Sequence, residues 1–272
     1  MSLTPAEQEA FGRDGYFVRP DGVPAVMVDA LNARLSELIT RCAAEHLDGT
    51  RKSLAFWDIL RRSRDDASVC WDTRGEMPAR VEAWEARAMR IGHGLHNVDE
   101  LFLSAARGPA IGGVLSALVP PPAWIVQSTV VYKQPQSDVV QFGLHQDAAY
   151  LTTDPESLVL AFLALDDMGE ENGALSVVPG THHDPLHVAL AMGPEGFYPV
   201  EGRPRPERDY APVLLPMRRG TVVFVHGRTL HASGPNRSTR PRRALIVHVM
   251  SGTSRLSPHT WIQPPLEGFV SI

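Results

Sequence analysis

Lysine is nearly missing from this sequence: Lys52 and Lys133 are the only two among 26 basic residues, which stand against 31 acidic ones. The formal charge of −5 gives nucleic acid or an anionic membrane surface nothing to hold. Cysteine is as scarce. Cys42 and Cys70 cannot build a disulfide framework or a cysteine-rich zinc site, and two reduced thiols suit the cytoplasm. No apolar stretch is long enough to span a bilayer, and Met1–Glu7 lacks the basic patch and apolar run of a secretory signal. No repeat, low-complexity tract or linker divides the chain. What is present is a core-forming composition, 43% hydrophobic over 272 residues, enough for one large domain. The expectation is a single domain over 1–272 in the cytoplasm, working without nucleic acid or membrane; the oligomeric state is left open.

The first part of the chain, to about residue 122, reads mostly as helix. Thr4-Pro5-Ala6-Glu7 is a capping box with proline at the first helical position, opening a short helix that ends at Gly12 or Gly15. A brief strand, Tyr16-Phe17-Val18, follows. Pro24 then opens a longer helix in which Val28, Leu31, Leu35, Leu38, Ile39 and Cys42 recur at helical spacing, an apolar stripe made to pack on a sheet. Residues 48–88 are charged and weakly periodic, with Arg61, Arg62, Arg64, Asp65 and Asp66 clustered; they read as a solvated loop, or more sharply as a cover over a site. Val98–Leu118 reads as one more helix, stopped by Pro120-Pro121-Pro122.

From Ile125 the pattern changes to short β-rich runs at 125–134, 158–165, 174–178, 220–226 and 243–250, punctuated by Gly, Pro, Asn and Asp. Glu171-Asn172-Gly173 marks a tight turn between two of them. Such spacing predicts a mainly β protein with flanking helices. Its core, at about 123–252, is a jelly roll (a cupin-like double-stranded β-helix), with the N-terminal helices packed on one sheet. Residues 183–212, rich in Gly and Pro, read as a long connection over the barrel mouth.

His145 and Asp147 are two positions apart, so on an extended strand they share a face. Alone, that pair is as consistent with a hydrogen-bonded core pair as with two metal ligands. His231, placed at the end of an apolar strand, can complete a set of two imidazoles and one carboxylate, the facial arrangement that leaves half of an iron's coordination sphere open. His226 competes with it but reads as a turn residue. Arg237, Arg240, Arg242 and Arg243 lead into the strand 243–250, where a buried charge is costly unless paired. A dicarboxylate would pair it, because a guanidinium presents two parallel donors. Strand alternation does not say whether Arg242 or Arg243 faces inward. His182 reads as a satisfied loop histidine, His248 as a barrel-facing group, and His93 and His96 as possible pocket formers near Arg90.

Together these stretches resemble a known family. Arg90-Ile91-Gly92-His93, Val126-Gln127-Ser128, Tyr132-Lys133-Gln134-Pro135, His145-Gln146-Asp147-Ala148, Glu171-Asn172-Gly173-Ala174-Leu175 and Pro179-Gly180-Thr181-His182 recur in order. Arg219-Gly220, His226-Gly227, His231, Ser257-Pro258 and Trp261-Ile262-Gln263-Pro264 continue the set. The combination is similar to the phytanoyl-CoA dioxygenase family of Fe(II)/2-oxoglutarate oxygenases, in particular to its domain-containing protein 1 branch, over nearly the whole chain. The resemblance implies an enzyme that uses Fe(II), 2-oxoglutarate and O2. It makes His145, Asp147 and His231 the iron ligands, Arg242 the partner of the cosubstrate's far carboxylate, and Ser233 a hydrogen-bond donor to that carboxylate. Thr129 and Arg90 fall at further cosubstrate positions where the family has Met and Lys, and Leu163 falls where it has Trp. The implied reaction oxidises a C–H bond of a small molecule while 2-oxoglutarate becomes succinate and CO2. With Asp147 present, hydroxylation is expected rather than halogenation. A small metabolite is preferred to an acyl-CoA, since Lys133 and the scattered arginines form no phosphate patch. A cupin-like metal hydrolase or isomerase would use the same His-Asp-His set without Arg242, and a non-catalytic binding domain would not need the set intact.

Overall fold

The computed structural model describes residues 3–62, 65–193, 196–202, 209–264 and 268–272. Of the charged cluster, Arg64 and the side chains of Arg61 and Arg62 fall outside that description, as do residues 203–208 of the connection expected over 183–212.

The expected capping box opens α1 (Pro5–Asp14): Thr4 Oγ1 accepts from the Glu7 amide and Glu7 accepts from the Thr4 amide. Gly15, at φ 79°, ends the helix in the left-handed conformation that favours glycine. The chain then forms β1 (Tyr16–Arg19) and α2 (Ala25–Leu47), which buries Val28, Leu31, Leu35, Leu38, Ile39 and Cys42, the predicted stripe, together with Ala43. The segment read as a solvated loop holds more structure than its charge suggested: α3 (Phe56–Arg62), β2 (Val69–Trp71) and β3 (Ala88–Ile91). Its strands are too short for alternation to show in sequence. The helix expected over Val98–Leu118 is also corrected. It is preceded by α4 (Leu95–Val98) and broken into α5 (Glu100–Arg107) and α6 (Gly112–Leu118). Pro109 pushes Gly108 out of the helical region, to φ −56° and ψ 156°. No single helix among the described residues is long and apolar enough to cross a membrane.

The strands that follow are β4 (Ala123–Lys133), β5 (Phe142–His145), β6 (Thr153–Asp154), β7 (Val159–Ala164) and β8 (Leu175–Val177). Next come β9 (Val188–Gly193) and β10 (Gly196–Gly202), a hairpin within the stretch read as a long connection, and β11 (Val213–Leu214). The chain closes with β12 (Val222–His226), β13 (His231–Ser233), β14 (Arg242–Ser251), β15 (Arg255–Leu256) and β16 (Val270–Ser271).

The major sheet has eight strands in the order β1-β12-β7-β14-β4-β3-β2, with β16 also on β4; the minor sheet runs β11-β8-β13-β5. Three strands of the major sheet therefore come from the first 122 residues, which are not helical throughout. Alternation divides the side chains between two layers. Val159, Ala161 and Leu163, with Leu245 and Val247, join the core formed with α2, α5 and α6. Leu160, Phe162, Ala164 and Ala244 pack toward Leu175 and Val177 of the minor sheet. This is the mostly β, helix-flanked jelly roll expected from the strand spacing. It settles the choice between neighbouring arginines: Arg242 shares the inner face with Ala244, whereas Arg243 lies on the outer face and pairs with Asp166 at 2.6 Å.

An ion pair ties the first helix to the sheet edge. Glu7 accepts two hydrogen bonds from Arg19, at 2.7 and 2.8 Å, and this bonding holds its carboxyl down at about 2 rather than 4.5. Because the folded pKa is depressed, the pair's contribution is full above pH 4.5 and is lost as pH falls toward 2. Glu7→Gln is expected to cost about 1 kcal/mol at pH 7, with the gap to wild type narrowing below pH 4.5, as read from urea midpoints at both pH values.

Candidate active site

The ladder of β5 ends at His145, but Gln146 stays extended (φ −112°, ψ 129°), so the same alternation carries Asp147 to the His145 side before a 3-10 turn begins. His231 does not end an apolar strand as expected. β12 stops at His226, the chain turns through Gly227–Leu230, and His231 begins β13 in the opposite sheet. There it is the direct cross-strand partner of His145. The two rings are 4.2 Å apart between centroids. Asp147 Oδ1 lies 3.5 Å from His145 Nε2, and Oδ2 lies 3.6 Å from His231 Nε2. Among the described residues, this is the one group of three whose ligand atoms all fall within 4.8 Å of one another.

Backbone carbonyls fix the ring tautomers. His145 Nδ1–H donates to Gly143 O at 2.7 Å, and His231 Nδ1–H donates to Thr229 O at 3.0 Å. Each ring therefore turns an unprotonated Nε2 toward Asp147, the arrangement that orients metal-binding histidines. Burial, reinforced by His145, pushes the His231 imidazole down to about 4. At Asp147 burial works upward, but the neighbouring His231 and His248 and the hydrogen bond from His248 outweigh it and hold the carboxyl well below its ordinary value. A carboxylate can only accept, so His248 Nε2 is the donor in its 2.9 Å contact with Asp147 Oδ2. The donor set, two imidazole Nε2 atoms and one carboxylate, fits a divalent iron.

The remaining histidines sort as follows. His226 closes β12 rather than lying in the turn, accepts from the Arg228 amide at 3.1 Å and rests against His182. His182 donates to Gly12 O at 3.1 Å, the satisfied loop histidine expected. His93 is the partner of Arg90, at 3.0 Å, and packs edge-on to Trp261. His96 is turned the other way, bonded to Ser128 and outside the cavity.

Arg242 lies 1% exposed on the inner face of β14. Its guanidinium donates to Ser233 Oγ at 2.8 Å and to Gly173 O, and sits over the Phe162 ring with Cζ 5.5 Å from the centroid. No acidic side chain among the described residues pairs with it, and burial pushes it down to about 9. Gly173 is held at φ 74° in the turn announced by Asn172-Gly173, and its carbonyl accepts from both Arg242 and Ser233. Lys133, opposite Arg242 in the β4–β14 ladder, donates to Ser233 O at 3.0 Å and to Gly234 O; burial and Arg242 push its amine down to about 6. Residue patterns alone missed this second buried cation. The hint was its alternation with Gln127, Thr129 and Val131 along an otherwise apolar strand.

Arg90 and Thr129 line the same cavity of about 350 Å3 as the His-Asp-His group and Arg242, a volume in the range of small-molecule sites. Thr129 spends its hydroxyl on Ile91 O and Gly92 O, at 3.1 and 2.9 Å. Leu163, expected near the cosubstrate, points into the helix-facing core; Phe162 is the residue of β7 that lines the cavity near Arg242.

Solved structures share this architecture. The epimerase SnoN, in complex with Fe3+, alpha ketoglutarate and nogalamycin RO, is 20% identical with a TM-score of 0.65, over 98% of this chain and 92% of SnoN. EctD from S. alaskensis with bound Fe is 19% identical with a TM-score of 0.64, over 97% of this chain and 82% of EctD. The jelly roll, the His-Asp-His opening and the buried arginine define the class: a non-heme iron, 2-oxoglutarate-dependent enzyme. Within that class the chain belongs to the phytanoyl-CoA dioxygenase (PhyH) family, whose profile matches residues 11–244. Phytanoyl-CoA dioxygenase domain-containing protein 1 of Mus musculus is 33% identical, over 97% of this chain and 96% of that protein. The Danio rerio protein of the same name is 29% identical, over 96% and 95%. Fe(II), 2-oxoglutarate and O2 are the family's cofactors and cosubstrates.

Anaerobic Fe(II) titration by calorimetry is expected to give one site per chain in wild type and none in His231→Ala. His248→Ala, which frees the Asp147 carboxylate, is expected to weaken that site roughly 10- to 100-fold. Gly173→Ala forces a side chain into a left-handed turn against Gly234, and is expected to cost about 1–3 kcal/mol in denaturant unfolding.

Proposed function

We propose that the chain hydroxylates, or otherwise oxidises, a C–H bond of a small metabolite, coupled to conversion of 2-oxoglutarate to succinate and CO2. His145, Asp147 and His231 would hold the iron, and cosubstrate and oxygen would reach it from the cavity. Arg242 and Ser233 receive the far carboxylate of 2-oxoglutarate. The observation that carries this reading is Arg242: a cation 1% exposed, with no acidic partner among the described residues, inside the cavity that the three ligands line. Its Nε–H has no acceptor there. A dicarboxylate supplies both the missing charge and the missing acceptor, and the planar fork dictates its orientation. A metal hydrolase or isomerase that works without 2-oxoglutarate would have no use for such a group.

Bound iron and dioxygen supply the oxidising power. The chain supplies position and dryness. Arg242, itself held by the Gly173 carbonyl, fixes one end of the cosubstrate, while His248 holds the Asp147 carboxylate by Oδ2. The apolar walls from Leu160, Phe162 and Ile246 keep water from the reacting centre. One oxygen atom of O2 enters succinate and the other enters the product alcohol. The reading places the enzyme in a reducing cytoplasm, acting without nucleic acid or membrane, and is supported by the free, buried Cys42 and Cys70.

The test is succinate formation from 2-oxoglutarate by the Fe(II)-loaded protein, with and without oxygen. Oxygen-dependent succinate is expected, and Arg242→Gln should raise the KM for 2-oxoglutarate at least about tenfold through loss of a charge-assisted pair. Oxygen-independent turnover, or an unchanged KM in that variant, would overturn the assignment.

A further inference from the structure

Besides His231, two rings touch the imidazole of His145: Phe142, with centroids 5.9 Å apart, and Tyr150, at 6.1 Å and nearly perpendicular. Both line the cavity that holds the His-Asp-His group. They stand differently toward the cosubstrate. Phe142 is the cross-strand partner of Ser233 and carries the Arg90 and Lys133 cations against its ring, at 5.7 and 5.6 Å. It therefore lies on the side where Ser233 and Arg242 receive the far carboxylate of 2-oxoglutarate.

Tyr150 is tied to the metal group through the backbone. Its amide donates to Asp147 O at 3.0 Å, in the 3-10 turn that begins at that ligand. Phe197 meets its ring edge-to-face at 5.0 Å and is braced in turn by Trp57 and Trp261, so the phenol is held in one place. Buried tyrosine hydroxyls ordinarily find a partner, yet no described residue hydrogen-bonds this one. Burial pushes the phenol up and the Asp147 carboxylate pushes it further, so it stays protonated beside the ligands rather than joining them. A closed site protects its surroundings only while a substrate fills it. In an empty cavity the ring beside His145 is left open to C–H oxidation. Its hydroxyl feeds electron density to the adjacent ring carbons, which makes them more readily oxidised than any carbon of Phe142.

We propose that Tyr150 is a site of self-modification: without primary substrate, the enzyme inserts an oxygen atom at a ring carbon next to the hydroxyl and turns this side chain into a catechol. This rests on the reading in which the chain oxidises C–H bonds with 2-oxoglutarate and O2. Each half of O2 is reduced by one electron pair. 2-Oxoglutarate supplies the first pair, leaves as succinate and CO2, and keeps one oxygen atom. The ring C–H bond supplies the second pair and becomes C–OH with the other atom. A substrate seated in the cavity takes that atom in place of Tyr150.

The test incubates Fe(II)-loaded protein with 2-oxoglutarate and isotopically heavy O2, without added substrate and with catalase to remove free peroxide. Its proteolytic peptides are then sequenced by mass spectrometry. Tyr150 should gain the mass of one heavy oxygen atom. The gain should vanish when 2-oxoglutarate is left out, and in His231→Ala, which lacks one of the ligands. If that variant does not fold, the wild-type sample without 2-oxoglutarate decides. Equal labelling of Tyr150 without 2-oxoglutarate, light oxygen from water in place of the label, or a label placed chiefly on Phe142 or on Met89 of the cavity wall would each overturn the proposal. Succinate is measured in the same samples. Oxygen-dependent succinate with Tyr150 unmodified removes the self-modification alone, whereas its absence removes the reading beneath it as well.

Discussion

The whole site hangs on one register: His231 on β13 lies directly opposite His145 on β5. A slip of one residue would turn either ring to the other face of the minor sheet. That register is secured from outside the site. Val178 N bonds to Leu230 O, the Thr181 hydroxyl accepts from Leu230 N, and the Ala148 amide donates to Gly227 O, so the turn before His231 is pinned on both sides. Gln146 adds a further tie, its amide donating to Arg228 O and accepting from His187 N. The residue between two proposed ligands thus serves the loop that delivers the third.

Gly173 is the second point of dependence. A single carbonyl in a left-handed turn receives Arg242 and Ser233 together, and so links the 3-10 turn Glu170–Asn172 after β7 to the strand that bears the guanidinium. This explains why an arginine tolerates such burial: its polar atoms are met by backbone and hydroxyl oxygens on one side, while Phe162 lies beneath the cation. The charge itself has no counterpart in the described structure, which sets this arginine apart from Arg243, satisfied by Asp166 one residue along.

Much of this was legible in the residues. The helix α2 announced its buried stripe through spacing alone, and the long strands announced themselves through β-branched runs, because both patterns persist over many residues. His145, Asp147, His231 and Arg242 were legible as candidates through chemistry, and their assembly followed from a family resemblance rather than from pattern. Short elements were not legible. β2 and β3 have three and four residues, too few for alternation, and the β9–β10 hairpin carries Gly and Pro that read as loop. The inward choice between Arg242 and Arg243 depended on which face of a sheet meets the helices, a tertiary fact.

The scarcity of lysine acquires a different meaning once Lys133 is seen 1% exposed between Ser233 and Arg242. Lys52, which is exposed, becomes the only lysine side chain on the surface of the described chain. Any chemistry that acts on side-chain amines, whether an acylating reagent, an immobilisation resin or a ubiquitin-type conjugation, then has a single lysine address. It lies just before α3, the helix that carries Trp57 to the cavity.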